Sequence, residues 1–160
     1  MNNGGWKNFR EVTQNILPNH RLFRASSPNY LGMDLTQELR RESVDFLLQN
    51  GINRIISLNQ YPYSEEELAS LESAGITYLH IPVKDFHPPT IEQLSKAFEF
   101  YRADPDGATT LVHCGAGYGR SGTCNFPEEA AWRSENRVEN AAQINILKEI
   151  RENCQKERGA

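Results

Sequence analysis

Leu111-Val112-His113-Cys114-Gly115-Ala116-Gly117-Tyr118-Gly119-Arg120-Ser121-Gly122-Thr123 is the stretch whose reading decides the fold of this chain. An apolar run from Thr109 to His113 predicts a buried strand, and it ends on a cysteine. Of the five residues between Cys114 and Arg120, three are glycine, which lets a short loop turn its N–H groups inward as phosphate-cradling loops do. Arg120 adds a planar fork that matches two phosphate oxygens. Cys114 falls at the mouth of a helix N-terminus, where a positive dipole end and converging amides favour a thiolate. Nucleophile and anion site therefore coincide.

Outward from this loop, strands and helices alternate. Leu22 to Ala25 reads as a short strand. Asp34 with Gln37 resembles a capping box that opens a helix running to Asn50, and Gly51 closes it. Asn53 to Leu58 is a short β-branched strand. Ser64 with Glu67 caps a second helix that stops at Gly75, and Ile76 to Ile81 is the next strand. Thr90 with Gln93 caps a third helix, whose apolar face is Ile91, Leu94, Ala97, Phe98 and Tyr101. The order predicts an α/β fold, with a mostly parallel central sheet, helices on both faces and the site at the carboxyl ends of the strands. Residues 1–19 read as an N-terminal arm packed on a single domain, 20–160, with Trp6 as a packing anchor. The segment from Cys124 to Arg137 breaks the pattern, because Phe126-Pro127 interrupts the helix expected after the loop. A last helix carries Ile146, Leu147, Ile150 and Cys154 on one face.

Composition narrows the function classes. A chain of 160 residues with 38% hydrophobic content supports one core. Its net charge of −4 and lack of a Lys/Arg cluster argue against nucleic acid or an anionic membrane as the main partner. Three cysteines and four histidines are scattered without metal-ligand spacing, so neither a metal nor another cofactor is expected. Cys124 reads as a buried helix thiol ahead of a redox partner for Cys114. The start of the chain lacks the apolar core of a secretory signal, and the expected setting is the cytoplasm, as a monomer.

The run His113-Cys114-x-Ala116-Gly117-x-x-Arg120-Ser121-Gly122-Thr123 resembles the signature of the cysteine-dependent tyrosine and dual-specificity phosphatases. Upstream, Asp85 in Ile81-Pro82-Val83-Lys84-Asp85-Phe86-His87-Pro88-Pro89-Thr90 is similar to the acid that precedes two prolines and a helix in the small dual-specificity members. Leu22 to Pro28 and Val138 to Gln143 also look like flanking segments of that family, so the resemblance runs from about residue 20 to the last helix.

The resemblance implies a phosphatase domain in which Cys114 attacks phosphorus and Arg120 with the amides of Gly115, Ala116, Gly117, Tyr118 and Gly119 holds the phosphoryl oxygens. Asp85 serves as acid and then base, Ser121 eases departure of the thiolate, and His113 supports the loop. Absence of lysine from the loop interior disfavours a highly phosphorylated inositol and points to phosphotyrosine, with phosphoserine or phosphothreonine, on a protein. Two alternatives stand beside it. One is a catalytically weak phosphate-binding module, suggested by the odd segment after Cys124. The other is a phosphatase of a non-protein phosphate such as an inositol phosphate.

Overall fold

The computed structural model describes residues 3–14, 16–124 and 140–158. The elements in order are β1 (Arg10–Val12), β2 (Arg21–Ser26), a 3-10 turn (Asp34–Thr36), α1 (Arg41–Gln49), β3 (Arg54–Ser57) and α2 (Glu65–Ser73). They continue with β4 (Thr77–His80), α3 (Ile91–Arg102), β5 (Thr109–Cys114), α4 (Gly119–Cys124) and α5 (Ala141–Arg158). Sheet order is β1-β2-β5-β3-β4. Strands β2, β5, β3 and β4 run parallel, and only β1 is antiparallel, against β2. The mostly parallel sheet read from the sequence is thus the one observed.

Alternation along the strands divides the core in two, because successive side chains leave a strand on opposite faces. Phe23, Ala25, Ile55 and Leu111 enter a cluster with Val44 and Leu47 of α1, Leu71 of α2 and Trp6. Leu22, Ile56 and Val112 enter the other, with Leu94, Ala97 and Tyr101 of α3 and with Cys114 and Cys124. Helices therefore cover both faces. The N-terminal segment takes part: Trp6 is fully buried, its Nε1 donates to the Ser43 carbonyl at 3.1 Å, and β1 extends the sheet edge.

Central placement of β5 decides where the site forms. Its neighbours β2 and β3 are both parallel to it, and Ser26 and Ser57 stand level with Cys114 and His113 in the register. The crossovers thus leave a crevice at the carboxyl end of β5, the usual place for a ligand in an open parallel sheet.

Two of the three capping boxes form as read. Ser64 Oγ accepts from Glu67 N–H at 3.3 Å, and Thr90 Oγ1 accepts from Gln93 N–H at 3.1 Å. The box at Asp34 does not form. The expected helix from Asp34 to Asn50 divides into the 3-10 turn and α1, with Gln37 in an extended conformation between them (ψ 140). The reason is that the Asp34 side chain has a stronger partner elsewhere, described below, while Ser43 supplies the local cap to α1 by accepting from Arg40 N–H at 3.3 Å. On α3 the buried stripe is narrower than the apolar pattern: Leu94, Ala97 and Tyr101 are buried, whereas Ile91 and Phe98 are 36% and 42% exposed. The proline-broken segment lies at 125–139, outside the described residues, as does the side chain of Cys154.

Candidate active site

Cys114 ends β5 with its side chain buried, and the four residues that follow, Gly115 to Tyr118, form the bend leading into α4. Two backbone features hold this bend against β2. The Gly115 carbonyl accepts from Ser27 N–H at 2.9 Å. Gly117 has φ +81, and a Cβ there would stand 2.5 Å from the backbone of Ala25 and Ser26. A side chain at 117 would meet both a left-handed backbone and a main-chain wall, so glycine is required. From the other side the N-terminal segment clamps the loop: Asn8 Nδ2 donates to the Ala116 carbonyl at 2.9 Å, and Tyr118 Oη donates to Asn8 Oδ1 at 3.0 Å.

Arg120 is 3% exposed and serves as the junction of the site. Its Nη1 donates to Asp34 Oδ2 at 2.5 Å and to the Val83 carbonyl at 3.0 Å, and its Nη2 donates to Asp34 Oδ1 at 2.8 Å. Asp85 Oδ1 lies 2.8 Å from the same Nη2. The two carboxylates differ in setting. Asp34 is buried at 4% side-chain exposure, and its Oδ2 also accepts from Gln60 N–H at 2.9 Å. Asp85 is 37% exposed on a loop, and besides Arg120 its Oδ1 accepts from Phe86 N–H at 3.0 Å.

Charge follows from these contacts. Burial by itself would push the Asp34 carboxyl up, but hydrogen bonds from Arg120 and Gln60 and the Arg120 charge outweigh it and hold the group below its ordinary range. Burial likewise opposes the Arg120 cation, and the Asp34 hydrogen bond with the charges of Cys114, Asp34 and Asp85 overcomes it, so the guanidinium is held charged. Burial and the Cys114 charge push the Cys124 thiol up to about 12, leaving it protonated and poorly nucleophilic.

Ser121 Oγ lies 3.4 Å from Cys114 Sγ, within hydrogen-bonding reach of sulfur. His113 is fully buried beneath the cysteine. Its Nε2 is 3.0 Å from Tyr63 Oη, and the Trp6 ring meets it edge-on at a centroid distance of 5.5 Å. Burial depresses the imidazole to about 3, so His113 is neutral and acts by shape and hydrogen bonding.

The structure therefore brings Cys114, Arg120, Ser121, Asp85 and the loop Gly115–Gly119 to one end of β5, with His113 behind. Asp34, the bidentate partner of Arg120, was missed from sequence, where its spacing to Gln37 reads as a cap. Tyr63 behind His113 and Asn8 under the loop carried no local signal either. Tyr30 also belongs here, since a Cβ on Gly115 would lie 2.4 Å from Asp34 Oδ1, 2.9 Å from the Tyr30 ring and 3.0 Å from Arg120 Nη2. The loop around Asp85 is tied down by Gln93 Nε2 to the Pro82 carbonyl (2.9 Å), His87 N–H to the Lys84 carbonyl (3.0 Å) and Asn140 Nδ2 to the Phe86 carbonyl (2.7 Å). Among the described residues no cluster of His, Cys, Asp and Glu is arranged to hold a metal ion.

Comparison with known proteins places this geometry. The family model Tc-R-P, described as a polymorphic toxin system DSP-PTPase phosphatase, matches residues 31–126, which include Asp34, Asp85 and the whole cysteine loop. The phosphatidylglycerophosphate phosphatase PTPMT2 of Arabidopsis thaliana is 38% identical over 86 residues, 52% of this chain and 37% of the plant protein. The chain thus spans little more than a third of that relative. Among solved structures, the phosphatase Tk-PTP in its active form superposes with a TM-score of 0.62 at 24% identity, covering 86% of this chain and 99% of that one. The core catalytic domain of the PP-IP phosphatase SIW14 from S. cerevisiae gives 0.65 at 20% identity, covering 95% and 93%.

Proposed function

Because the chain belongs to the Tc-R-P family of DSP-PTPase phosphatases, we propose that it hydrolyses phosphomonoesters through a cysteinyl-phosphate intermediate. The observation that carries this reading is the meeting of Arg120 with Asp85 across 2.8 Å at the lip of the loop that begins with Cys114. One cation then links the anion site to a proton donor.

In the forward step the Cys114 thiolate attacks phosphorus. The S–P bond forms as the P–O bond to the leaving alcohol breaks, and the departing oxygen takes the proton of Asp85. Arg120 and the loop N–H groups hold the equatorial oxygens throughout. In the second step water attacks phosphorus and gives a proton to Asp85, while the S–P electrons return to sulfur. Ser121, 3.4 Å away, donates to the thiolate as it leaves. The sum is ester and water to alcohol and inorganic phosphate. Since Asp85 lies on Arg120 Nη2 in the free protein, an incoming phosphoryl group takes over that nitrogen and releases Asp85 toward the leaving oxygen.

A phosphorylated protein side chain, phosphotyrosine first, fits a loop interior without lysine. A second reading, a phosphomonoester on a non-protein alcohol, is favoured by the activity named for the Arabidopsis relative. Steady release of phosphate from an aryl phosphate by the wild-type protein, abolished in Cys114→Ser, is the expected result. Tight phosphate binding without release would instead identify a phosphate-capturing module.

A further inference from the structure

The segment before β1 runs against the cysteine loop and is fastened on both sides of Asn8. Trp6 is fully buried, with the His113 ring at 5.5 Å. Phe9 stacks on Phe23 at 5.0 Å and meets Phe46 edge-on at 4.9 Å. Between these anchors the Lys7 backbone pairs with Ser26, its N–H donating to Ser26 Oγ and its carbonyl accepting from Ser26 N–H, both at 2.8 Å. Ser26 is level with Cys114 in the β2–β5 register, so the anchors place Asn8 beside the loop independently of its own side chain. Asn8 has φ +55, a left-handed conformation that asparagine tolerates better than most side chains.

From that place the amide makes two contacts that fix its orientation. Nδ2 donates to the Ala116 carbonyl at 2.9 Å, and Oδ1 accepts from Tyr118 Oη at 3.0 Å. A turned amide would set Oδ1 against the carbonyl oxygen, two acceptors face to face, so the observed orientation is the one the loop allows. The consequence falls on the next N–H along the chain. A trans peptide is planar with its C=O and N–H on opposite sides, and no cis peptide bond occurs among the described residues. Holding the Ala116 carbonyl toward Asn8 therefore turns the Gly117 N–H the other way. The preceding peptide is held by the same device: the Gly115 carbonyl accepts from Ser27 N–H at 2.9 Å and from Ser27 Oγ at 3.3 Å, which sets the direction of the Ala116 N–H.

We propose that Asn8 is a positioning residue of the phosphate site, which holds the Ala116 carbonyl outside the loop and so presents the Gly117 N–H to an equatorial phosphoryl oxygen. The inference rests on the phosphomonoesterase reading above and gives a part in that site to a side chain 108 positions from the carbonyl it holds. Gly117 is where a brace matters most. At φ +81 it has the backbone freedom of glycine and no side chain to restrict it. Without a donor outside the loop, the peptide between Ala116 and Gly117 can turn its carbonyl into the pocket, where an acceptor would face an anion. Donors aimed beforehand at the developing charge lower the barrier because they need no reorganisation during the reaction. Asn8 acts through Gly117 and does not touch the substrate.

The test uses Asn8→Gly, which keeps the left-handed backbone and removes only the amide, and Asn8→Asp, which keeps an acceptor for Tyr118 Oη but loses the donor to Ala116. Binding of inorganic phosphate is measured by titration calorimetry, turnover by kcat and KM on 4-nitrophenyl phosphate, and stability by Tm. Asn8→Gly should weaken phosphate binding about fivefold and lower kcat/KM about tenfold, a fraction of the roughly 100-fold or more that deleting a whole donor of this kind costs. Both kcat and KM should worsen, because the same N–H serves the bound phosphate and the transition state. An exposed hydrogen bond adds little to folding, so Tm should fall by no more than about 4 °C. Asn8→Asp should lose at least as much phosphate affinity, since its carboxylate faces a carbonyl and adds negative charge beside an anion site. Unchanged phosphate affinity or unchanged kcat/KM in Asn8→Gly, or an Asn8→Asp protein that matches wild type, overturns the assignment and leaves the phosphatase reading intact. A loss that comes with a larger fall in Tm marks a structural brace and overturns it too. If the wild-type protein binds phosphate but turns over nothing, the phosphatase reading fails while phosphate affinity still decides the role of Asn8; a wild-type protein that binds no phosphate overturns both.

Discussion

Asp34→Asn is the substitution that tests the site most sharply, because it removes a charge from the buried partner of Arg120 while keeping the side chain's shape. Asp34 gives the guanidinium two charge-assisted contacts, at 2.5 and 2.8 Å, and takes the Gln60 N–H at 2.9 Å. Breaking a buried ion pair on one side costs about 3–5 kcal/mol. The asparagine oxygen can keep one contact, so a loss at the lower end, about 3 kcal/mol, is expected. For a domain of this size that is a fall in Tm of roughly 6–12 °C. The larger effect should be on activity. Without the fixed carboxylate on its Nη1 edge, Arg120 is left to the partly exposed Asp85, and a misplacement on the order of 1 Å costs about 100-fold. The assay is kcat/KM on an aryl phosphate below the reduced Tm, together with the Kd of inorganic phosphate, which should rise about tenfold, or about 1.4 kcal/mol. Asp34→Glu serves as the companion. It restores the charge but must fit an extra methylene where Oδ1 already fills the space a Cβ on Gly115 would take, 2.4 Å away. Partial recovery of stability with persistent loss of kcat is expected from it. If Asp34→Asn lowered Tm but left kcat/KM and phosphate affinity unchanged, the view of Asp34 as the residue that positions Arg120 would be refuted.

Other predictions follow from the same geometry. Asp85→Asn should slow hydrolysis of an alkyl phosphate far more than that of an aryl phosphate with a good leaving group, since only the poor leaving group needs the proton; equal losses on the two substrates would count against Asp85 as the acid. Stability should rise with pH between about 3 and 6.5, because buried His113 binds its proton near 3 when folded and near 6.5 when unfolded, so the unfolded state holds more protons in that window. The slope should flatten in His113→Gln, measured by denaturant midpoints across the window, and an unchanged slope would show that His113 is not its source. Asp34, lowered in the folded state by Arg120, adds stability that is present above its unfolded value and lost on further acidification.

The fold was legible because its signals are local. Both boxes at Ser64 and Thr90, the closing glycines of α1 and α2 (φ +70 and +71), and the strand ending on Cys114 are written within a few residues of where they act. Asp34 shows where this stops. Its spacing to Gln37 is the same as that of the two boxes that form, yet its side chain pairs with Arg120 across 86 positions. Nothing in a window of ten residues distinguishes a carboxylate that caps from one that reaches into the next crevice, because the choice is made by tertiary contact. Tyr63 under His113 is the same case at a separation of 50.

Arg120 also changes what the two-part site means. A nucleophile loop and an acid loop could have been independent halves, joined only through substrate. Instead, a single guanidinium carries one carboxylate on both of its terminal nitrogens and shares a nitrogen with a second. A phosphoryl group must find room on that cation, and the two carboxylates are not equally able to yield. Asp34 is buried and anchored to Gln60 N–H, so leaving would strand a charge away from water. Asp85 is 37% exposed on a loop and can exchange Arg120 for solvent or a leaving oxygen at little cost. In the mechanism proposed above, displacement by substrate would therefore fall on Asp85, coupling phosphate binding to the release of the residue proposed as the acid.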